Sequence, residues 1–424
     1  MARILVVSSG FSLDHHGKDL GIVHTLLARG HWVKHLLVGD GIPPGYPKEW
    51  VRRPEFHAVG SVWRGRPLSA IDLLAWAEVV LLPNARGVGR LSELAHTLDR
   101  TVVQHDNLGG LDFYYYDADF AAIKGDYFRE LIDRADEVPT GEYDEVPLFL
   151  RQSLRGLQGL PRSRVEITGC VQFDEGLQNG TSITRNEFCQ EYDLDPGKRI
   201  AVWLPDGAQN QDAWSQRKYV EICDAIEYSQ NHNLIIKMHP NDYLRWKSHV
   251  HLAGKQSAEF LYPGGKVCRP EHKYNCFTHC DVGVTILSTV ALEFPLFRKP
   301  MLFVDSQDSP IVQKYSHFRK SGIPVPGSVG SYCTAESLRS TLEGNTYDVA
   351  GDRLYDEQIR KFSCSADGRA HERVASLIER AAREMPAPSM GLRNLLKGGA
   401  GIGAVLVGKA HMRLKARAAR ARRE

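Results

Sequence analysis

The sequence predicts an α/β protein made of two doubly wound units, each with a parallel sheet covered by helices. Short apolar runs alternate with amphipathic helical patterns from the first residues onward, and this alternation is typical of parallel sheets. It starts again at "GKRIAVWLPDG", and a chain of 424 residues is long enough for two full cores. Ligands of such sheets bind beyond the carboxyl ends of the strands, so we expect a cleft between the two units to form the binding site.

The first unit is predicted over residues 1–170. Its strands are expected at "ARILVVSS", "WVKHLLVG", "AEVVLLPN" and "RTVVQHD", and its helices at "KDLGIVHTLLARG" and "GRLSELAHTLD". "SRVEITG", residues 163–169, is predicted to be a late strand of the same unit. The polar stretch at residues 174–184 is predicted to be a linker.

The second unit is predicted over residues 171–384. After "GKRIAVWLPDG" comes the helical pattern "DAWSQRKYVEICDAIEYSQ", and further strands are predicted at "NLIIKMHP", "KVCRP", "CDVGVTI" and "KPMLFVD". A final helix is predicted at "GRAHERVASLIERAAREM". The remaining residues, 385–424, are predicted to form a basic tail.

Composition and charge limit the classes of protein to which this sequence can belong. A net charge of +2 gives no indication of nucleic-acid binding. The start "MARILVVSSG" reads as a strand and not as a secretory signal, and the eight cysteines show no pairing pattern, so we predict a cytoplasmic protein. His272, Cys276 and Cys280 are spaced four apart, but the paired C-x-x-C spacings of zinc sites are missing, and we expect no metal there.

The tail has the composition of a membrane-surface segment. From Lys409 onward it has seven Lys or Arg and a single acid, Glu424, beside an apolar, Gly-rich run of eleven residues at 398–408. That run is too short to span a bilayer, which needs about 20 residues. We predict that residues 398–424 contact an anionic membrane surface on the inner face of the cytoplasmic membrane, with a solvated tail as the alternative.

The stretch "NLIIKMHPNDYLRW" places a histidine where a strand ends. Pro240 holds His239 in an extended conformation, and strand alternation puts Lys237 on the same face as His239. An imidazole at the carboxyl edge of the sheet can donate a hydrogen bond to an anion or carry a proton. The alternative is a histidine that caps a neighbouring loop.

A second candidate site lies in "DVGVTILSTVALEFPLFRKPMLFVD", residues 281–305. Ser288 and Thr289 are residue types that cap helices, and the helix expected after them would present free N–H groups to a phosphate. Glu293 lies four residues after Thr289, where its carboxylate could accept hydrogen bonds from sugar hydroxyls. Pro295 falls inside this helix and is expected to shorten or kink it.

These segments together resemble a known family. "VEITGCVQFD", "RIAVWLPDG", "IIKMHP", the Thr285 to Glu293 stretch, "KPMLFVD" and "KFSCSADGRA" are similar, in this order, to the second domain of bacterial surface-polysaccharide transferases with the GT-B fold. The nearest groups are the CDP-glycerol glycerophosphotransferases of teichoic acid synthesis and the capsule-polysaccharide glycosyltransferases that use CMP-Kdo. The resemblance covers roughly residues 165–375, and Arg298 departs from it because "GKP" is typical there.

The resemblance implies roles for individual residues. His239, Ser288 and Thr289 would contact the phosphates of the donor nucleotide, and Glu293 would approach its ribose. The "PDG" loop with Asp206 and Gly207 would border the donor, and the "VCRP" loop with Arg269 would touch the base. In the first unit, the base that deprotonates the acceptor is expected either in the first loop, at Asp14, His15 or His16, or at His105 in "VVQHD", where the family commonly has His-Gly.

The resemblance implies a transferase that moves a glycosyl unit from a CMP-, CDP- or UDP-linked donor to a surface-polysaccharide or lipid-linked glycan acceptor. No Asp-x-Asp pair stands at the carboxyl end of a predicted strand, so we expect charge stabilisation by the protein without a bound metal, and no cofactor. Three alternatives stay open. They are transfer of a polyol phosphate such as glycerophosphate, 2-epimerisation of a sugar nucleotide, and a non-catalytic scaffold with the same fold.

Overall fold

The computed structural model shows two parallel sheets that follow one another along the chain. The described residues are 1–9, 19–38, 48–59, 67–83, 89–105, 118–135, 156–179, 182–205, 213–238, 266–286, 288–306, 308–309, 330–347 and 351–386. None of the helices in these ranges has the length and apolar content needed to cross a membrane.

The first sheet has seven strands in the order β3-β2-β1-β4-β5-β6-β7, and every neighbouring pair is parallel. Strands β4 and β5 are buried along their whole length, as expected for a sheet that is covered on both faces. The strands are β1 (Arg3–Ser9), β2 (Trp32–Val38), β3 (Phe56–Val59), β4 (Val79–Pro83), β5 (Thr101–His105), β6 (Phe120–Ile123) and β7 (Val165–Ile167).

The second sheet has six strands in the order β10-β9-β8-β11-β12-β13, again all parallel. Its two faces carry separate apolar cores, and strands such as β8 supply alternate residues to each of them. The strands are β8 (Arg199–Trp203), β9 (His232–Ile236), β10 (Lys266–Val267), β11 (Val282–Thr285), β12 (Met301–Val304) and β13 (Gly330–Cys333).

Helices connect the strands and cover the sheets. In the first half these are α1 (Leu20–Ala28), α2 (Lys48–Val51), α3 (Pro67–Trp76), α4 (Gly89–Thr97), α5 (Asp126–Asp133) and α6 (Val171–Asn179). In the second half they are α7 (Arg185–Glu191), α8 (Ala213–Glu227), α9 (Lys273–His279), α10 (Ala335–Glu343), α11 (Asp352–Ser363) and α12 (Ala370–Glu384).

The last helix, α12, packs against the first sheet. Its apolar side chains, among them Val374, Leu377 and Ile378, belong to the core formed by β1 and α1. Asp174 of α6 holds the start of α12, because its carboxylate accepts hydrogen bonds from the N–H groups of Ala370 (3.1 Å) and His371 (2.7 Å). The predicted domain bounds at residues 170 and 384 stay predictions.

The predicted α/β class and parallel sheets are confirmed, and two details of the prediction are wrong. The linker predicted at residues 174–184 contains most of α6. Its Asp174 caps the start of α12, and Thr184 at its other end forms the capping box that starts α7. Strands β3, β6 and β13 were not predicted, because each has only four residues and no long apolar run.

Candidate functional site

The order of the first sheet places a crevice at one end of β1 and β4. Strands added after β1 go to one side and those after β4 to the other, and ligands bind where the direction of strand addition reverses. We call the edge where strands end the carboxyl edge. Ser8 near the end of β1 and His105 at the end of β5 lie at this edge, and Asp19, directly before α1, contacts both.

A chain of buried hydrogen bonds leads to Asp19. The Trp50 indole Nε1 donates to His35 Nδ1 (3.0 Å), His35 Nε2 lies 2.7 Å from Ser8 Oγ, and the Ser8 hydroxyl donates to Asp19 Oδ2 (2.5 Å). An indole N–H can only donate, so His35 Nδ1 is the acceptor and Nε2 carries the proton of the neutral ring. Ser8 therefore accepts from His35, and its own proton points to Asp19.

Burial and charge give the side chains of this hydrogen-bond network different protonation states. Burial lowers the pKa of His35 from 6.5 to about 4, although the charge of Asp19 opposes this shift. For Asp19, burial opposes ionisation, but the electrostatic interaction with the nearby His105 ring and the hydrogen bond from Ser8 outweigh it and hold the pKa below its ordinary value. At neutral pH, His35 is neutral and Asp19 is a carboxylate.

His105 is the imidazole at the end of this network. Its Nε2 lies 3.2 Å from Asp19 Oδ1, and both side chains are 1% exposed. The two atoms are in close polar contact, but they lack the alignment of a hydrogen bond. Within the described residues, His105 Nδ1 has no hydrogen-bond partner. A buried imidazole that is oriented by a carboxylate and has a second nitrogen without a partner has the features of a general base.

The sequence identified one member of this network. His105 was predicted as a candidate base, whereas Asp14, His15 and His16 lie outside the described residues. Asp19, Ser8 and His35 were not predicted. A signal for His35 exists, because a histidine inside the apolar strand pattern "WVKHLLV" is a buried polar group that needs partners.

The second sheet has an equivalent crevice between β8 and β11. Thr285 Oγ1 at the end of β11 donates to the Leu204 carbonyl (2.8 Å), which ties the carboxyl ends of the two strands together. Beside them the Trp203 indole is fully buried, and its Nε1 has no hydrogen-bond partner in the described part of the chain. Lys237 follows β9 at the same edge and is also buried.

The segment after β11 differs from the predicted helix. Ser288 caps a four-residue 3-10 turn, Thr289–Leu292, and accepts from Val290 N at 3.4 Å; a second turn, Phe294–Phe297, follows. The prediction of an α-helix here is wrong, because Pro295 has no N–H to donate and the chain closes i to i+3 hydrogen bonds instead. Such short turns lack the sustained dipole of an α-helix.

Glu293 is engaged with another side chain. It is 2% exposed, and the Lys273 Nζ lies 3.0 Å from Oε1 and 2.7 Å from Oε2. The pair connects the turn after β11 to α9. A carboxylate held this way is not presented to solvent, and its predicted contact with a ribose stays a prediction.

The remaining predicted donor residues are distributed as follows. Arg269 is half-exposed and pairs with Glu191 at 2.7 Å. His239, Asp206 and Gly207 lie outside the described residues. Arg298, where the family has glycine, adopts the left-handed conformation (φ 52°) that glycine favours, and it is held by Asp352 (2.9 Å) and Asp356 (2.7 Å) of α11.

The three residues spaced like metal ligands are used in other ways. His272 Nδ1 lies 2.9 Å from the Tyr192 hydroxyl. Cys276 and Cys280 are buried in the core beside β8. The described residues contain no group of His, Cys, Asp or Glu arranged to hold a metal ion.

Solved structures share this architecture along most of the chain. The wall teichoic acid polymerase TagF matches with a TM-score of 0.53 and 13% identity, over 90% of this chain and 89% of that one. A Listeria monocytogenes protein assigned as a UDP-N-acetylglucosamine 2-epimerase matches with a TM-score of 0.55 and 11% identity, over 92% of this chain and 99% of that one. The UDP-GlcNAc 2-epimerase of Neisseria meningitidis matches with a TM-score of 0.51 and 11% identity, over 89% of this chain and 100% of that one.

The chain has the GT-B fold. It has two parallel, helix-covered sheets and matches these structures along most of its length, so the resemblance found in the sequence is confirmed at the level of the fold. No family model matches the sequence, and no curated protein is similar to it. At 11–13% identity the likeness extends to the GT-B fold and not to the reaction.

Proposed function

We propose that this GT-B protein is a transferase that moves a glycosyl unit from a nucleotide-activated donor to a hydroxyl group of a surface-polysaccharide or lipid-linked glycan. The observation that supports it best is the Asp19–His105 pair at the crevice of the first sheet. His105 Nδ1, which no described residue engages, is available to take a proton from an acceptor hydroxyl, and Asp19 stabilises the imidazolium that results.

The proposed step balances with one bond made and one broken. The acceptor oxygen forms a bond to the anomeric carbon, its proton goes to His105, and the bond between that carbon and the phosphate oxygen breaks. The nucleotide leaves with both bonding electrons. Charge on this leaving group would be stabilised at the crevice of the second sheet, where Ser288 and Lys237 are placed and where His239 is predicted.

A cytidine or uridine nucleotide is the proposed donor carrier. Two solved structures with the same fold hold uridine nucleotides, since S. aureus MnaA is bound to UDP and the Neisseria enzyme is bound to UDP-GlcNAc. CDP-linked donors are proposed from the sequence resemblance. CMP-linked donors are retained from the sequence resemblance. The inner face of the cytoplasmic membrane is the proposed location of the reaction, because the proposed acceptor is linked to a lipid.

The second candidate is 2-epimerisation of a sugar nucleotide. Two of the structural matches are named as UDP-GlcNAc 2-epimerases, and a buried His–Asp pair could equally remove a proton from carbon. Inverting a C–H centre breaks that bond, so an epimerase in D2O introduces deuterium at C2. Transfer to a hydroxyl leaves the C2 hydrogen in place.

The first experiment is calorimetric titration of CMP, CDP, UDP and GDP into the wild type and into His239→Ala. Loss of a charge-assisted hydrogen bond of about 1.5–3 kcal/mol is expected to weaken the preferred nucleotide roughly ten- to hundredfold. If no nucleotide binds, the proposal of a donor site is refuted and the alternative of a non-catalytic scaffold is favoured.

The second experiment tests the base. Each sugar nucleotide that binds is incubated in D2O with a lipid-linked oligosaccharide extract, and nucleotide release and C2 deuteration are followed. His105→Gln is expected to lower turnover by about 10²–10⁴-fold while nucleotide binding is unchanged. The matched control is His31→Gln, which removes an imidazole that is also paired with a carboxylate, Glu379 at 3.0 Å, but at the opposite edge of the sheet. Equal activities of the two variants would refute the role of His105.

A further inference from the structure

The edge of the first sheet opposite the crevice has a composition of its own. All seven strands are parallel, so they all begin at this edge, which we call the starting edge. The described residues that directly precede six of the strands contain six arginines and no lysine, against four carboxylates. They are residues 29–31, 52–55, 77–78, 98–100, 118–119 and 162–164.

Several of these arginines are accessible. The Arg162 side chain is 81% exposed and Arg53 is 49% exposed, each with one carboxylate partner, and Arg52 is also exposed. Arg100 is different, because it is 2% exposed and none of its three guanidinium nitrogens has a hydrogen-bond partner among the described residues. A guanidinium stays charged at any physiological pH. Because no described acceptor is hydrogen-bonded to Arg100, its positive charge contributes to the electrostatic potential of this edge.

An aromatic side chain projects from the same edge. Trp32, the first residue of β2, is 58% exposed and lies beside Arg3 at the start of β1. Tryptophan combines a large apolar ring with an N–H donor, and it is enriched where proteins meet the headgroup region of a bilayer. Arginine binds phosphate with two parallel N–H donors, so this combination of residues fits a layer of lipid phosphates.

The basic tail begins at this edge as well. Helix α12 runs along the first sheet from the carboxyl edge to the starting edge, where Thr101 Oγ1 donates to the Met385 carbonyl at 2.8 Å. Pro386, which follows, is exposed. The 38 residues after it carry nine Lys or Arg and one acid. The tail is therefore attached at the edge that already has Trp32 and the arginines.

We propose that the starting edge of the first sheet is a docking surface for an anionic lipid bilayer. Trp32 enters the headgroup layer, Arg53 and Arg162 contact lipid phosphates, and the tail adds charge from the adjoining end of α12. This proposal goes beyond the proposed reaction, because it requires neither nucleotide binding nor turnover. A failure of one leaves the other intact.

The test is co-sedimentation of the full chain with vesicles of equal parts phosphatidylglycerol and phosphatidylcholine. Each basic residue near an anionic surface contributes about fivefold to partitioning, so Arg53→Gln with Arg162→Gln is expected to weaken binding roughly 25-fold. The matched control is Arg339→Gln with Arg353→Gln, which removes two exposed, singly paired arginines from the second unit. The control pair is expected to bind as the wild type does.

A second pair of variants tests the aromatic contact. Trp32→Ser is expected to weaken binding severalfold, whereas Tyr228→Ser, which removes an aromatic ring of similar exposure (66%) from the second unit, is expected to have no effect. Trp32→Phe is expected to reduce the quenching of protein fluorescence by brominated lipids. A chain ending at Pro386 is expected to bind more weakly but to keep its preference for anionic over pure phosphatidylcholine vesicles.

Three outcomes would overturn the proposal. The first is a wild-type chain that does not bind anionic vesicles. The second is an arginine control pair that loses as much binding as the starting-edge pair. The third is a chain ending at Pro386 that has no residual binding while the starting-edge variants bind normally, which would assign the contact to the tail alone.

Discussion

The buried His35 makes the stability of the protein depend on pH in a way that can be measured. Burial lowers the pKa of His35 to about 4, whereas an unfolded chain has the ordinary value of 6.5. Between these two values the unfolded state binds a proton and the folded state does not, so stability falls as the pH falls from about 6.5 to about 4 and this loss ends below 4. At 1.36 kcal/mol for each pH unit, the loss from this one group is about 3 kcal/mol.

The perturbation is His35→Gln. A glutamine can still accept from the Trp50 indole and donate to Ser8, but it does not titrate. Urea unfolding followed by circular dichroism at pH 7, 6, 5 and 4 gives the free energy of unfolding of both proteins. We expect the wild type to lose about 3 kcal/mol more than the variant between pH 7 and 4.

The reasoning would be refuted by parallel pH profiles of the two proteins. It would also be refuted if the His35 ring, followed by NMR, took up a proton near pH 6.5. Asp19 contributes a further loss in acid, because its pKa is also lowered in the folded state, but that loss is common to both proteins and cancels in the comparison.

Two further predictions concern stability. Lys273→Met is expected to lower the free energy of unfolding, measured with urea, by about 3–5 kcal/mol because it leaves the Glu293 carboxylate buried without its lysine partner. Adding Glu293→Gln to this variant is expected to recover most of the lost stability. Gly283→Ala is expected to lower the free energy of unfolding by about 1–3 kcal/mol, since a Cβ there would overlap the Met301 sulfur. A variant that melts at the same temperature as the wild type would contradict this. Gly156→Ala, with open space around it, is the control and is expected to be neutral.

The sequence predicted the parts of the fold that depend on local patterns. Strands β1, β4, β5, β8, β11 and β12 are apolar runs buried in the sheets, and such runs are recognisable without any tertiary information. Strand β13 is not, because its residues Gly330–Cys333 are only partly buried and pair along one side with β12. Its strand conformation depends on that neighbour rather than on its own pattern.

The site was harder to predict because its members are far apart in the sequence. His105 was predicted from its place at the end of a strand, but its carboxylate partner, Asp19, lies 86 residues earlier and meets it only after β4 has been inserted between β1 and β5. Glu293 was predicted as a ligand because its spacing from Thr289 suited a helix. The pairing with Lys273 depends on how α9 packs, which spacing does not reveal.

The contribution of α12 to the first core has a consequence for how the chain folds during synthesis. The core around β1 and α1 includes Val374, Leu377 and Ile378, so it is completed only after the ribosome has added these residues, more than 340 positions after α1. Domains usually fold as units, N-terminal first, but here the N-terminal unit must wait for the second unit to emerge. Until then its apolar surface is open to chaperones, and this long sequence separation predicts slow folding.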